Sequence, residues 1–286
     1  MLKQVTDYHY PGSLEEAASL HDRESRSFFI AGGTALALSD SKRPVELIDV
    51  GGLGLDELEL DEEAGKIEIG ATTSIQNVIE HEGIKSVLNG FLSESLEEIG
   101  SYPIRNAGTL GGSLVYPFPW SDVVTILSVL DTEVTYFHDG ERKTRDFSRL
   151  YERDFRSELN DSVIEKLSID LENETRTAAS FHKFNRSEFD VAALNLACRI
   201  THNQGEIVEA RLAVGARPML AERVKEVEEE LAGEELGSEL ARQAGNMAPE
   251  SLELGDDKKI SGDYRETLAE KMTTDAIKGI YQEVSK

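Results

Sequence analysis

The chain has a single cysteine, Cys198, among 286 residues. One thiol makes no disulfide within the chain and supplies neither a Cys-ligated zinc site nor a Cys-ligated iron–sulfur cluster. If iron–sulfur chemistry is involved, a partner carries the cluster. Cys198 sits in "LNLACRI", whose strand-like apolar neighbours suggest a small buried core residue. No apolar run approaches the roughly 18 residues of a membrane-spanning helix. The opening "MLKQVTDYHYPGS" lacks the basic-then-apolar order of an export signal, so a cytoplasmic protein is expected. Long Gly/Ser or Pro tracts are missing as well. With 39% hydrophobic and 30% charged residues, the composition is that of a globular protein with room for two ordinary domains.

Basic residues are also scarce: 30 Lys and Arg stand against 55 Asp and Glu, a formal charge of −25. The acidity is spread over many segments, among them "SLEEAASLHDRES", "SESLEEIG" and "VKEVEEELAGEELGSEL". Nucleic acid is excluded as a partner, because affinity for a polyanion comes largely from Lys and Arg displacing counterions. Dispersed acidity keeps a protein hydrated and unassociated in molar salt, where screening lengths fall to roughly 3 Å. The expectation is a salt-loving host; a merely acidic mesophilic protein is the alternative.

Several catalytic signatures are absent: the G-x-S-x-G elbow, the G-x-x-x-x-G-K-[ST] loop and the H-E-x-x-H helix. The histidines (His9, His21, His81, His138, His182 and His202) are scattered without metal-ligand spacing. Carboxylates are too numerous for any pair to stand out as general acid and base. Hydrolase and metalloenzyme readings therefore lose their support. What is present is bare backbone, in the loops "AGGTAL" and "NAGTLGGS". Amides at a glycine turn converge and hold phosphate oxygens, and the missing Cβ lets a ligand approach the main chain. Thr34, Thr109 and Ser113 add hydroxyls. The alternative is that both are ordinary turns, and neither is a G-x-G-x-x-G fingerprint.

Local patterns place these loops. "SLEE" at Ser13–Glu16 is a capping box opening a short helix. "SFFI" at Ser27–Ile30 reads as a buried strand, followed by a glycine turn and a helix over "AGGTALAL"; "VELIDV" is the next strand, completing a β-α-β unit. "LDELELDEEAGKIEIGA" alternates about an Ala64–Gly65 turn and predicts a hairpin. Helices are expected in "TTSIQNVIEH", capped near Thr73 or Ser74, and in "LSESLEEIG". "VVTILSVLDTEVTYF" joins a short helix to a strand beginning near Thr132. A polar stretch at Asp170–Thr177 marks a domain boundary. Beyond it come strands "VAALNLACRITH" and "GEIVEARLAVGA", a helix over "LAERVKEVEEEL" with Leu220, Val224, Val227 and Leu231 on one face, and a last helix over "DYRETLAEKMTTDAIKGIYQEV".

Four stretches in this order, "IAGGTAL" (Ile30–Leu36), "LIDVGGLGLDELE" (Leu47–Glu59), "IGATTSIQNVIEH" (Ile69–His81) and "IGSYPIRNAGTLGGS" (Ile99–Ser113), resemble the FAD-binding medium subunit of molybdenum hydroxylases, enzymes of the xanthine dehydrogenase and carbon monoxide dehydrogenase type. "KFNRSEFDVAALNLA" (Lys183–Ala197) and "DYRETLAEKM" carry the resemblance nearly to the end. It implies an α+β fold: an FAD-binding domain of the vanillyl-alcohol-oxidase/PCMH type over 1–172, with subdomains of about 1–52 and 53–172, then a smaller α+β C-terminal domain over 173–286 with an antiparallel sheet packed by helices. Ala31, Gly32, Gly33, Thr34, Ala35 and Leu36 match the first FAD pyrophosphate loop, and Thr109, Leu110, Gly111, Gly112 and Ser113 the second. Asp122 matches an aspartate on the adenosine side. Lys183 matches a lysine near the flavin, where it would stabilise negative charge on the reduced ring, and Ile164 a backbone contact to the ring. Ile99 falls where a residue covers the flavin's approach.

The implied function is one subunit of three. Electrons from a large molybdenum-cofactor subunit reach this FAD through the 2Fe-2S clusters of a small subunit and leave to an external acceptor. Two departures stand out: Ser113 replaces the family's asparagine, and "LVYPFPWSD" brings Tyr116, Phe118 and Trp120 into a segment that is usually small and polar. Those aromatics either stack on the cofactor or fill the core beneath the loop. Two other readings remain at this stage, a stand-alone flavin oxidoreductase of the vanillyl-alcohol-oxidase type and an FAD-free assembly scaffold.

Overall fold

The computed structural model describes residues 4–21, 26–38, 44–61, 63–115, 117–171 and 176–285. In chain order the elements are β1 (Val5–His9), α1 (Leu14–Leu20), β2 (Ser27–Ile30), β3 (Val45–Asp49), β4 (Leu58–Asp61), β5 (Lys66–Gly70), α2 (Ile75–Glu80), α3 (Phe91–Glu97), α4 (Tyr102–Ala107), α5 (Leu110–Val115), α6 (Asp122–Leu127), β6 (Asp131–His138), β7 (Glu141–Asp146), α7 (Arg153–Asn160), β8 (Val163–Asp170), β9 (Thr177–Phe184), β10 (Leu194–Asn203), β11 (Glu206–Gly215), β12 (Glu222–Arg223), α8 (Lys225–Leu231), α9 (Ser238–Met247) and α10 (Gly262–Val284). They fall into two compact units. Met1–Val78, Ser101–Tyr116 and Asp131–Asp170 form the first; Ile79–Gly100, Pro117–Leu130 and Leu171–Lys286 form the second.

In the first unit, β1, β3 and β2 make a parallel sheet with β3 in the middle. Ser13 opens α1 as the capping pattern predicts, its hydroxyl accepting the Glu16 amide at 3.1 Å; the Glu16 carboxylate reaches one residue further back, to the Gly12 amide at 2.7 Å. Ala17, Ile48 and Val50 pack with Phe137 and Val163 of a second sheet. That sheet is antiparallel, in the order β4-β5-β8-β6-β7. Its first hairpin turns at the expected Gly65, whose φ of +62° lies where glycine carries no Cβ penalty. Ser74 caps α2, accepting the Asn77 amide at 3.1 Å. After the first glycine loop the structure departs from the expected helix. Gly33 takes φ +67°, the Ala37 amide closes on the Gly33 carbonyl at 2.9 Å, and only a single 3-10 turn, Leu36–Leu38, follows. The helix expected over "AGGTALAL" is thus reduced to that turn; Tyr116 and residues 172–175 of the polar stretch lie outside the described residues.

The second unit is an antiparallel sheet, β12-β11-β10-β9, with helices against it. On β10, Leu194, Leu196, Cys198 and Ile200 enter a core with Val227 of α8, Ala244 of α9 and Ile277 of α10. The alternate residues meet the segment around α6: Asn195 bonds Asp122, and Arg199 donates to the Val129 carbonyl at 3.2 Å. Both faces of β10 are therefore buried, one against an apolar core and the other through the paired polar groups of Asn195 and Arg199. The helix expected from Leu220 begins only at Lys225. Glu222 and Arg223 instead pair with β11 as β12, and Arg223 grips the Glu228 carboxylate at 2.7 and 2.8 Å. Val224, Val227 and Leu231 are still buried, while Leu220 stays outside the helix. Among the described residues, no helix is long and apolar enough to cross a membrane.

Burial in this core pushes the Cys198 thiol up to about 12. At pH 8 the folded protein should therefore resist a thiol reagent, with labelling appearing only along the global unfolding transition in urea. Rapid labelling without denaturant would show that the sheet opens locally.

Candidate functional site

The two glycine loops meet, and they meet through main chain. A Cβ on Gly32 would fall inside the carbonyl oxygen of Ala107, which ends α4, and the nearest side-chain atom to a Cβ on Gly108 other than Ile75 Cδ1 is the Thr34 hydroxyl, 3.6 Å away. Beneath them, the start of α2 holds the second loop in register. The Ile75 amide donates to the Gly108 carbonyl at 2.9 Å, and Ser74 and Thr109 form an isolated bridge.

The loops differ in what they offer. The Gly111 amide donates to the Ala71 carbonyl at 3.0 Å, the Gly112 amide to the Thr109 hydroxyl at 3.1 Å and the Ser113 amide to the Thr109 carbonyl at 3.2 Å. The second loop is thus largely helix, α5, with those donors spent internally; a Cβ on Gly111 would sit 2.6 Å from that of Ala71. In the first loop, the amides of Gly32, Gly33, Thr34 and Ala35 find no acceptor among the described residues. A run of donors left without protein acceptors fits a diphosphate. Leu36 is buried and anchors the end of the loop. Ile164 lies on β8 beyond Lys166, where pairing with β5 ends, and α5 packs against that strand. The Ala71 amide still donates to the Glu165 carbonyl at 2.8 Å, and among the described residues no strand pairs with Ile164 on that side.

In the second unit, Ile99, Asp122 and Lys183 converge. The Lys183 ammonium donates to an Asp122 carboxylate oxygen at 2.8 Å and to the Glu98 carbonyl, next to Ile99, at 2.6 Å. The side chains of the pair are only 2% and 7% exposed. Burial pushes the Asp122 carboxyl above the usual carboxylate range, while Lys183 and then Asn195 pull it back. Asn195 donates to Asp122 at 2.7 Å and accepts from Thr125 at 2.9 Å. Sequence reasoning missed Asn195; the signal was an amide set among the apolar residues that open a strand. Asp122 and Lys183, matched by resemblance to the adenosine side and the flavin side, are each other's partner in this buried ion pair. Phe118 and Trp120 stack on each other, centroids 4.9 Å apart and planes 5° from parallel, with Trp120 36% exposed rather than filling a core.

A parallel β-α-β layer joined to an antiparallel sheet, a glycine loop with unspent amides and a following antiparallel domain are the frame of a phosphate-binding protein of mixed α and β structure. A family model described as the FAD binding domain in molybdopterin dehydrogenase matches residues 3–169, and one described as the CO dehydrogenase flavoprotein C-terminal domain matches residues 179–280. The chain belongs to this family: it is an FAD-binding medium subunit of the molybdenum hydroxylases, and an oxidoreductase component. Among similar proteins, a nicotine 6-hydroxylase medium subunit from Paenarthrobacter nicotinovorans is 26% identical over 93% of either chain. The alpha subunit of the 6-hydroxypseudooxynicotine dehydrogenase complex from the same organism is 30% identical over 86% of this chain and 84% of that one. Quinoline 2-oxidoreductase from Pseudomonas putida 86 shares the fold, with a TM-score of 0.88 at 22% identity over 100% of both chains.

Two variants test this geometry. Gly32→Ala should lower stability by about 1–3 kcal/mol through overpacking, whereas Gly52→Ala, whose Cβ meets nothing within 4 Å, should leave the melting temperature unchanged. Lys183→Met should remove about 3–5 kcal/mol in urea titrations, because a carboxylate is left buried without its cation. In that variant the folded state holds the Asp122 proton more tightly than the unfolded state does. The deficit should therefore be larger at pH 8 than at pH 5.

Proposed function

We propose that the chain takes electrons from the 2Fe-2S clusters of a small partner subunit, which receives them from a large molybdenum-cofactor subunit, and passes them through its FAD to an external acceptor. The observation that carries the reading is the row of unspent amides from Gly32 to Ala35. These donors, with the Thr34 hydroxyl, hold the FAD diphosphate, and Thr109–Ser113 form the wall that keeps their loop in place. The bound FAD supplies the redox chemistry. This chain's residues position it and set the charge around it. In the second unit, Asp122 and Lys183 act as one element beside Ile99; in the first, Ile164 offers its strand-edge backbone to the flavin.

A lone cysteine inside a core supports a partner as the cluster carrier. The limits of the two family matches, 3–169 and 179–280, support a division of the chain at 172/173. We also infer a saline cytoplasm from the dispersed charge of −25.

Protein purified in high salt should show flavin absorption bands and should bring down a Cys-rich small subunit and a large molybdenum subunit. A flavin-bearing chain that turns over substrate alone would replace this reading with a self-sufficient oxidoreductase.

A further inference from the structure

The second glycine loop is held at three successive points by the start of α2. Ser74 bridges Thr109, the Ile75 amide donates to the Gly108 carbonyl, and the side-chain carbonyl of Gln76 accepts the Arg105 Nε–H at 2.9 Å. Of the three, only the last runs between side chains. Gln76 is buried, 6% exposed, and its acceptor is aimed at the helix that ends on Ala107. The Ala107 carbonyl in turn fills the place of the Gly32 Cβ. A chain of contacts therefore runs from Gln76 through Arg105 and the end of α4 to the first amide of the row left without protein acceptors.

We infer that Gln76 is a positioning residue for the diphosphate: by fixing Arg105 it sets where α4 ends, and so how the Gly32–Ala35 amides are presented. Gln76 does not touch the cofactor in this scheme. Its effect passes through main-chain contact, which transmits small displacements because close-packed backbone has no slack. Losing an acceptor for a guanidinium N–H lets α4 rotate or slide, and hydrogen bonds to phosphate weaken steeply once donors leave line. The inference rests on the proposed diphosphate role of this loop.

The test compares wild type, Gln76→Leu and Gln76→Glu in the full chain, using ADP and FAD as probes in equilibrium titrations and the melting temperature of the ligand-free chain as a control. Gln76→Leu should weaken both probes by about tenfold with little change in melting temperature, and Gln76→Glu, which keeps an acceptor at the same reach, should restore binding. Unchanged affinity in Gln76→Leu overturns the inference. So does a loss of affinity matched by a loss of stability and not rescued by Gln76→Glu, since that is a merely structural effect. A wild-type chain that binds neither ADP nor FAD overturns the diphosphate role itself, and this inference with it.

Discussion

Backbone packed directly on backbone is the contact on which the first unit depends. Gly32 lies against the Ala107 carbonyl, Gly70 against the Leu55 carbonyl and Gly111 against Ala71, each so close that a Cβ would have to displace the main chain opposite. Glycine weakens a fold locally by roughly 0.5–1 kcal/mol through backbone entropy. Here that loss brings two segments together without side chains between them. In the diphosphate role proposed for this loop, the same bareness has a second use. The loop packs on the end of α4 through Gly32 and still leaves its amides from Gly32 to Ala35 without acceptors among the described residues, so that packing takes none of its donors.

The second unit is organised by a different constraint, the burial of charge. Lys183 and Asp122 come from β9 and the start of α6, and neither is tolerable there alone. Asn195 and the Glu98 carbonyl complete the set, so each buried polar atom has a named partner. Such a network adds little net stability over an apolar core, but removing one partner leaves the other charge buried and unpaired.

Much of this was legible in the sequence wherever one face of an element decides its fate. The hairpin around Gly65, the strand at Ser27–Ile30 and the capping at Ser13 and Ser74 follow from period and cap chemistry. Long-range pairing was less readable. "LAERVKEVEEEL" has a good helical stripe, yet sheet pairing claims Glu222 and Arg223, because completing the edge of β11 outweighs a few tenths of a kcal/mol of propensity per residue. "TLGGS" reads as a loop by its glycines, but Thr109 caps it and makes it a helix. At the site, the motif residues were found by resemblance. Their partners were not: Asn195, Gln76 and the Ala107 carbonyl act through contacts that no local spacing encodes.

Recognition by amides, the role proposed for the first glycine loop, also answers a difficulty set by composition. A chain of formal charge −25 presents a repulsive field to a diphosphate at low ionic strength, and surface lysines placed to offset it would lose their reach once salt is molar, with screening lengths near 3 Å. Backbone donors work by contact at hydrogen-bond distance, within that screening length, and carry no ion to desolvate. The two conditions therefore act in opposite directions on the same site. Added salt removes the long-range repulsion while leaving the amide contacts nearly intact, so a cradle of this kind gains affinity with salt where a lysine-lined one loses it.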